Sequence, residues 1–343
     1  LSAIGDCILT LPLLNALRDV FPSAYLAWVV EPLAAPLLEG HPALDALIVA
    51  KRHWLKSPRE VMRLRSELRE HRFEWSLDPQ SLTKSAVAAW ISGARRRIGL
   101  GGRHGRELSR ALHTEAAVPQ RPHVVDRSLE LLKPLGVEPA EVRFDCPEYA
   151  AAASKMHCYL AQSALDRFAL INVGATWPSK LWPPERFGSV ARRLGTAFSL
   201  PSLIVWAGEN ERRAAKACAD ASCGHAVVAP ATSLTELASL ARRADLFLSA
   251  DTGPLHLAAA VGTPCVGLYG PTRREVCGPY GPRHIAVQKY YQEGTCRQRR
   301  KAENKAMRAI TVEDAFQACQ RTLIAGMTSK SLHSAPITTR RAA

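Results

Sequence analysis

Apolar and polar positions along the chain follow two periodicities. Short apolar runs bounded by Gly, Pro or Asp read as buried strands. Between them lie stretches with apolar residues three and four apart, which read as helices. In the first part of the chain the strands fall at 25–30, 47–50, 75–77 and 97–99. The helices fall at 7–20, 59–72, 85–92 and 123–135, the last closed by Gly136. A short first strand is expected ahead of the turn that opens the chain. Residues 143–158, rich in Ala and holding Pro147, read as a linker. The alternation then restarts, with strands at 168–173, 203–207, 226–228, 245–250 and 265–269 and helices at 184–194, 209–221, 234–243 and 311–324. Strands alternating with helices predict a parallel, doubly wound α/β sheet. The restart predicts two Rossmann-like domains, 1–155 and 156–325, facing a cleft. Residues 326–343, rich in Ser, Thr and Arg, read as a disordered tail.

Composition narrows the class. The chain has 343 residues and a formal net charge of +14, which favours anionic partners. No RNA-binding signature accompanies the basic clusters, so nucleic acid is not expected. No apolar run reaches the ~18 residues of a membrane span. The nine cysteines show no Cys-x-x-Cys pairing, which points neither to zinc nor to a disulfide framework. Free thiols suit the cytoplasm.

Candidate chemistry sits at predicted strand ends. The strand at 245–250 stops at Asp251-Thr252-Gly253-Pro254 and a small-residue helix follows. Such a turn presents backbone N–H groups and a positive helix end to a phosphate. Asp251 or Thr252 also serves as a plain helix cap, and His256 as a packed first-turn residue. Asp6, in Ser2-Ala3-Ile4-Gly5-Asp6, reads as a cap carboxylate in the turn before a helix, or as a general base kept ionised by the helix dipole. The loop 174–183 carries Thr176, Lys180 and Trp182, and Trp206-Ala207-Gly208-Glu209-Asn210-Glu211 ends another strand. An acidic residue there suits ribose hydroxyls. Gly-x-Gly-x-x-Gly follows no visible strand, which weighs against a dehydrogenase.

The wording of these segments is more specific than their spacing. Asp251-Thr252-Gly253-x-x-His256-x-Ala-Ala-Ala-x-Gly262-x-Pro264 resembles the sugar-nucleotide signature of glycosyltransferase family 9, the ADP-heptose:lipopolysaccharide heptosyltransferases. The Ser-x-x-Gly-Asp, Lys-x-Trp-Pro and Asp-x-Gln-x-x-x-Lys-Ser segments resemble further motifs of that family, in the same order, over about 1–324. The resemblance implies a GT-B type fold, with acceptor bound by domain 1–155 and nucleotide sugar by domain 156–325. It implies an inverting, metal-independent transfer of heptose from an ADP-sugar donor to the inner core of lipopolysaccharide, with no cofactor. Asp6 would be the catalytic base, and Lys180 would stabilise the departing ADP and, with Thr176, contact the diphosphate. Glu211, preferred to Glu209, would meet the ribose. Asp251 would position the heptose, backbone N–H groups of Thr252 and Gly253 would hold phosphate, and His256 would lie near the diphosphate. Gln80 and Lys84 would face the acceptor. Ser81 stands where the family usually has Gly, and Ala306 where it often has Cys. Arg97, Asp126 and Arg127 also follow the family pattern, and the last two read as mainly structural. A cytoplasmic enzyme in peripheral contact with the inner membrane follows. A family relative using another nucleotide sugar and glycan, or a non-catalytic nucleotide-sugar binder, is the alternative.

Overall fold

The structure, a computed structural model, describes residues 3–105, 107–138 and 141–333, the side chains of 107 and 327–333 excepted. The chain divides into two compact units: Leu1–Ala150 with Glu275–Cys277, and Ala151–Arg274 with Gly278–Ala343.

The first unit contains α1 (Ile4–Val20), β1 (Ala27–Val30), β2 (Ala46–Val49), α2 (Pro58–Glu70), β3 (Trp75–Asp78), α3 (Thr83–Ile91), β4 (Arg96–Leu100), α4 (Glu107–Leu112), β5 (Glu115–Ala117) and α5 (Val124–Leu129). All of its pairings are parallel, but its strands form two sheets, β1-β2 and β3-β4-β5, where a single sheet is expected from the pattern. A cavity of about 220 Å³ is lined from both, by Cys7, Leu14, Trp28, Phe73, Leu77 and Ala88 among others. One core cluster packs Leu11 and Leu14 of α1 on Val30 and Leu38. Another packs Leu64 and Leu68 of α2 on Ile48, Trp54 and Ile91. α5 passes into a 3-10 segment, Glu130–Leu135, that ends at left-handed Gly136 (φ 70°).

The second unit contains α6 (Ala150–Gln162), β6 (Ala169–Asn172), α7 (Pro184–Phe198), β7 (Ser202–Val205), α8 (Gly208–Ala221), β8 (Ala226–Val228), α9 (Leu234–Arg243), β9 (Leu246–Ala250), α10 (Gly253–Ala260), β10 (Cys265–Tyr269), β11 (Ile285–Gln288), α12 (Cys296–Lys301), α13 (Lys305–Arg308) and α14 (Val312–His333), while α11 (Arg274–Cys277) groups with the first unit from Glu275. Its six strands are parallel, in the order β11-β10-β9-β6-β7-β8. Read from β8, that is the dinucleotide-fold order 3-2-1-4-5-6, whose switch point lies between β6 and β9. β6, β7, β9 and β10 are buried along their length, as strands covered on both faces must be.

Two expectations need correction. The Ala-rich stretch taken as linker is helical from Ala150, with Ala152, Met156 and Leu160 buried on one side at helical spacing. The terminal helix runs to His333, past the expected start of the tail, and residues 334–343 lie outside those described. Among the described residues no helix is long and apolar enough to cross a membrane. Among the described residues no disulfide joins any of the nine cysteines.

Candidate active site

At the switch point of the second unit, three side chains form one buried network. Lys180, ending a 3-10 turn after β6, donates from Nζ to Asp251 Oδ2 at 2.6 Å and to the Asp251 carbonyl at 3.2 Å. The other carboxylate oxygen, Oδ1, meets His256 Nε2 at 3.2 Å. Asp251 and His256 are almost fully buried. Burial alone would push the Asp251 carboxyl up. The His256 hydrogen bond and the Lys180 ammonium outweigh it and hold the group well below the ordinary carboxylate range. An ammonium has three N–H donors, so two used on Asp251 leave one for a ligand. The Lys180 ammonium also lies 4.7 Å from the centre of the Trp177 ring.

The sequence builds this corner from strand-end polar residues. Thr252 caps α10, its hydroxyl accepting from Leu255 N, so Gly253 and Pro254 form the first turn. Buried Asn172, last residue of β6, donates to the Gly174 carbonyl (3.1 Å), Ser249 Oγ (2.9 Å) and Thr252 Oγ1 (3.4 Å). It thus ties the strands either side of the switch point to the helix cap. The signal for it was a lone amide ending the apolar run Ala169-Leu170-Ile171.

Glu211 lies against the same strand ends. Its Oε2 accepts from Ala207 N at 2.8 Å, and a Cβ on Gly174 would sit 2.0 Å from its carboxyl carbon. Gly174 is therefore a close-approach glycine. Burial raises the Glu211 carboxyl above its usual range, partly offset by the Ala207 N–H. Glu209, by contrast, is exposed and pairs with Arg212. Thr176 is exposed on the loop before Lys180. Trp182 is buried, donating to the Ile310 carbonyl at 3.0 Å and meeting Phe187 edge-on. Ala306 is buried beside Gly270.

The first unit gathers Asp6, Gln80 and Lys84 at one end. Asp6 lies within the first turn of α1, which begins at Ile4, and not in a turn before the helix as the sequence reading had it. The Gln80 side-chain amide donates to Asp6 Oδ2 at 2.9 Å. Lys84, in the first turn of α3, pairs with Glu31 at 2.5 Å. Ser81 takes a left-handed backbone (φ 46°), the conformation for which glycine is favoured, and its buried hydroxyl accepts from Leu100 N at 2.6 Å. Arg97 bonds the carbonyls of Leu112 and Ala94. Asp126 lies 3.7 Å from Arg121, and Arg127 is half-buried.

Glu31 and His113 escaped the sequence reading. Buried His113 Nε2 meets Asp78 Oδ2 at 3.2 Å. Gly99 marked the place, because a Cβ there would sit 2.0 Å from the imidazole.

The profile of glycosyltransferase family 9 (heptosyltransferase) matches residues 61–307. The chain is 30% identical over 301 residues to lipopolysaccharide heptosyltransferase 1 of Salmonella typhimurium, covering 83% of this chain and 91% of that protein. It is 30% identical over 293 residues to the Pseudomonas aeruginosa protein of the same name, covering 82% and 79%. Among solved structures, a family 9 glycosyl transferase from Veillonella parvula superposes with a TM-score of 0.78 at 23% identity, covering 95% of each chain. E. coli heptosyltransferase WaaC with ADP gives 0.74 at 24%, covering 94% of this chain and 97% of that one. The fold is therefore GT-B type α/β, and the chain belongs to glycosyltransferase family 9, the heptosyltransferases.

Proposed function

We propose that this enzyme transfers heptose from ADP-heptose to the inner core of lipopolysaccharide, by a single inverting displacement that needs no metal ion. The observation that carries the reading is the Lys180–Asp251–His256 network in front of the capped N-terminus of α10. An acidic side chain fixes the lysine, and the lysine keeps one donor for the diphosphate. The helix end adds backbone donors and a favourable dipole. Together they stabilise charge growing on the leaving ADP without a cation. The names of the relatives, lipopolysaccharide heptosyltransferases, and the structures bearing ADP and ADP-2-deoxy-2-fluoro heptose support the donor and the acceptor class.

In this reading Asp6 takes the proton of an acceptor hydroxyl as its oxygen bonds the anomeric carbon. The bond from that carbon to the diphosphate oxygen breaks, and ADP leaves with the electron pair beside Lys180. Glu211 receives the ribose hydroxyls and Thr176 a phosphate oxygen. Thr252 and Gly253 offer backbone N–H groups to the diphosphate. Lys84 exchanges Glu31 for an acidic group of the acceptor. The enzyme works at the cytoplasmic face of the inner membrane, where its positive charge favours anionic surfaces.

Calorimetric titration with ADP, UDP, GDP and NAD, with and without EDTA, tests the donor. Selective ADP binding that EDTA leaves unchanged is expected. Preference for UDP or GDP refutes ADP-heptose as donor, and loss of binding in EDTA refutes metal independence.

A further inference from the structure

We infer that Gln80 is a positioning residue for Asp6, held for that task by a loop that the buried Asp78–His113 pair locks in place. The inference rests on the reading of Asp6 as the base, and it replaces the expectation that Gln80 touches the acceptor.

The geometry starts at Asp78, the last residue of β3. Its Oδ1 accepts from the backbone N–H of both Gln80 (3.1 Å) and Ser81 (2.9 Å). Its Oδ2 accepts from Ser85 Oγ (2.8 Å) and meets His113 Nε2 (3.2 Å). The Asp78 and His113 side chains are each only 3% exposed. Ser81 adds two bonds from one buried hydroxyl, to Leu100 N and to the Asp78 carbonyl. Three separate parts of the chain (α3, β4 and the residue following α4) thus fix one short loop. From that loop the Gln80 side chain, half-buried, reaches Asp6.

A primary amide suits this role. It is a neutral donor, so it favours the carboxylate over the acid without cancelling its charge. Its bond to Oδ2 restricts how the Asp6 carboxylate can turn. Glu31 and Lys84 are paired to each other, which largely balances their fields. Cys7 is pushed up to about 11, chiefly by burial, and stays a thiol. Asp78 and His113 are committed to each other.

The test compares kcat, acceptor KM and the pH profile of transfer in wild type, Gln80→Leu, Gln80→Glu and Asp6→Asn, with thermal melts as a folding check. Gln80→Leu is expected to lower kcat roughly tenfold and move the acidic limb up by about half to one pH unit. Acceptor KM stays within about twofold. Gln80→Glu moves the limb further, because a second carboxylate opposes ionisation of Asp6. A raised acceptor KM with kcat and limb unchanged makes Gln80 an acceptor contact and overturns the inference, as does no change at all. Asp6→Asn separates the two readings. If that variant stays active, the base assignment itself fails. If it is inactive while Gln80→Leu behaves as wild type, only the role of Gln80 fails.

Discussion

Replacing Lys180 by Met removes one charge from a pair set 2.6 Å apart, with side chains 15% and 6% exposed, and leaves the length of the side chain nearly unchanged. Breaking a buried pair from one side typically costs about 3–5 kcal/mol, because the remaining charge stays buried. Here His256 still serves Asp251 Oδ1 and the lysine head is partly wet, so about 2–3 kcal/mol is expected. That corresponds to a fall in Tm of roughly 5–10 °C. The pH dependence has a definite sign. In wild type the depressed Asp251 carboxyl contributes stability above the ordinary carboxylate value, lost only as pH falls through its own far lower value. In Lys180→Met, burial raises that carboxyl, so the variant regains stability by protonating it. The gap between the two proteins therefore narrows from pH 7 toward pH 4. Combining Lys180→Met with Asp251→Asn gives a cycle with about 2 kcal/mol of coupling. The assay is thermal melting across that pH range, with calorimetric ADP binding beside it. Loss of one charge-assisted hydrogen bond weakens ADP roughly tenfold or more. Additive single and double variants, with an unchanged ADP dissociation constant, refute the argued role of Lys180.

Other predictions follow from the same geometry. Asp6→Asn removes turnover by about a hundredfold or more while leaving the ADP-heptose dissociation constant within twofold, measured by single-turnover kinetics and calorimetry. Glu211→Gln weakens ADP binding yet slightly stabilises the free protein at neutral pH. Its raised carboxyl makes the folded state lose stability as pH rises above the usual carboxylate range, and paired melts and titrations check both signs. His284, lowered to about 4 by burial and by Arg283, accepts from Cys265 N. Acidification from about pH 6.5 to 4 should therefore cost on the order of 3 kcal/mol, and His284→Gln should flatten that slope in denaturant melts. Gly99→Ala forces the His113 ring aside and should lower Tm while reducing kcat more than it raises acceptor KM.

The second unit was the more legible in sequence. Its four central strands are buried on both faces, so apolar runs such as Leu246-Phe247-Leu248 stand out, and Ser233 and Thr252 announce the helices they cap. The first unit was harder because its strands are short and half-exposed, and β5, Glu115-Ala116-Ala117, carries no strand pattern at all. Asp6 is legible by motif, but Gly5 reads as part of a turn and is helical, so Asp6 falls inside α1. Lys180 and Asp251 were each legible as strand-end residues. Their pairing was not, because it joins positions 71 residues apart. His113, Asn172 and Glu31 act through tertiary contacts; Gly99 left a local trace of His113 and the polar end of an apolar run one of Asn172, while Glu31 left none.

Purified protein, ADP-heptose and lipopolysaccharide lacking heptose should be incubated in EDTA, with the product linkage read by NMR. Transfer of heptose with release of ADP, and with the anomeric configuration opposite to that of the donor, is the predicted result. No transfer, dependence on added metal, or retention of configuration would contradict it.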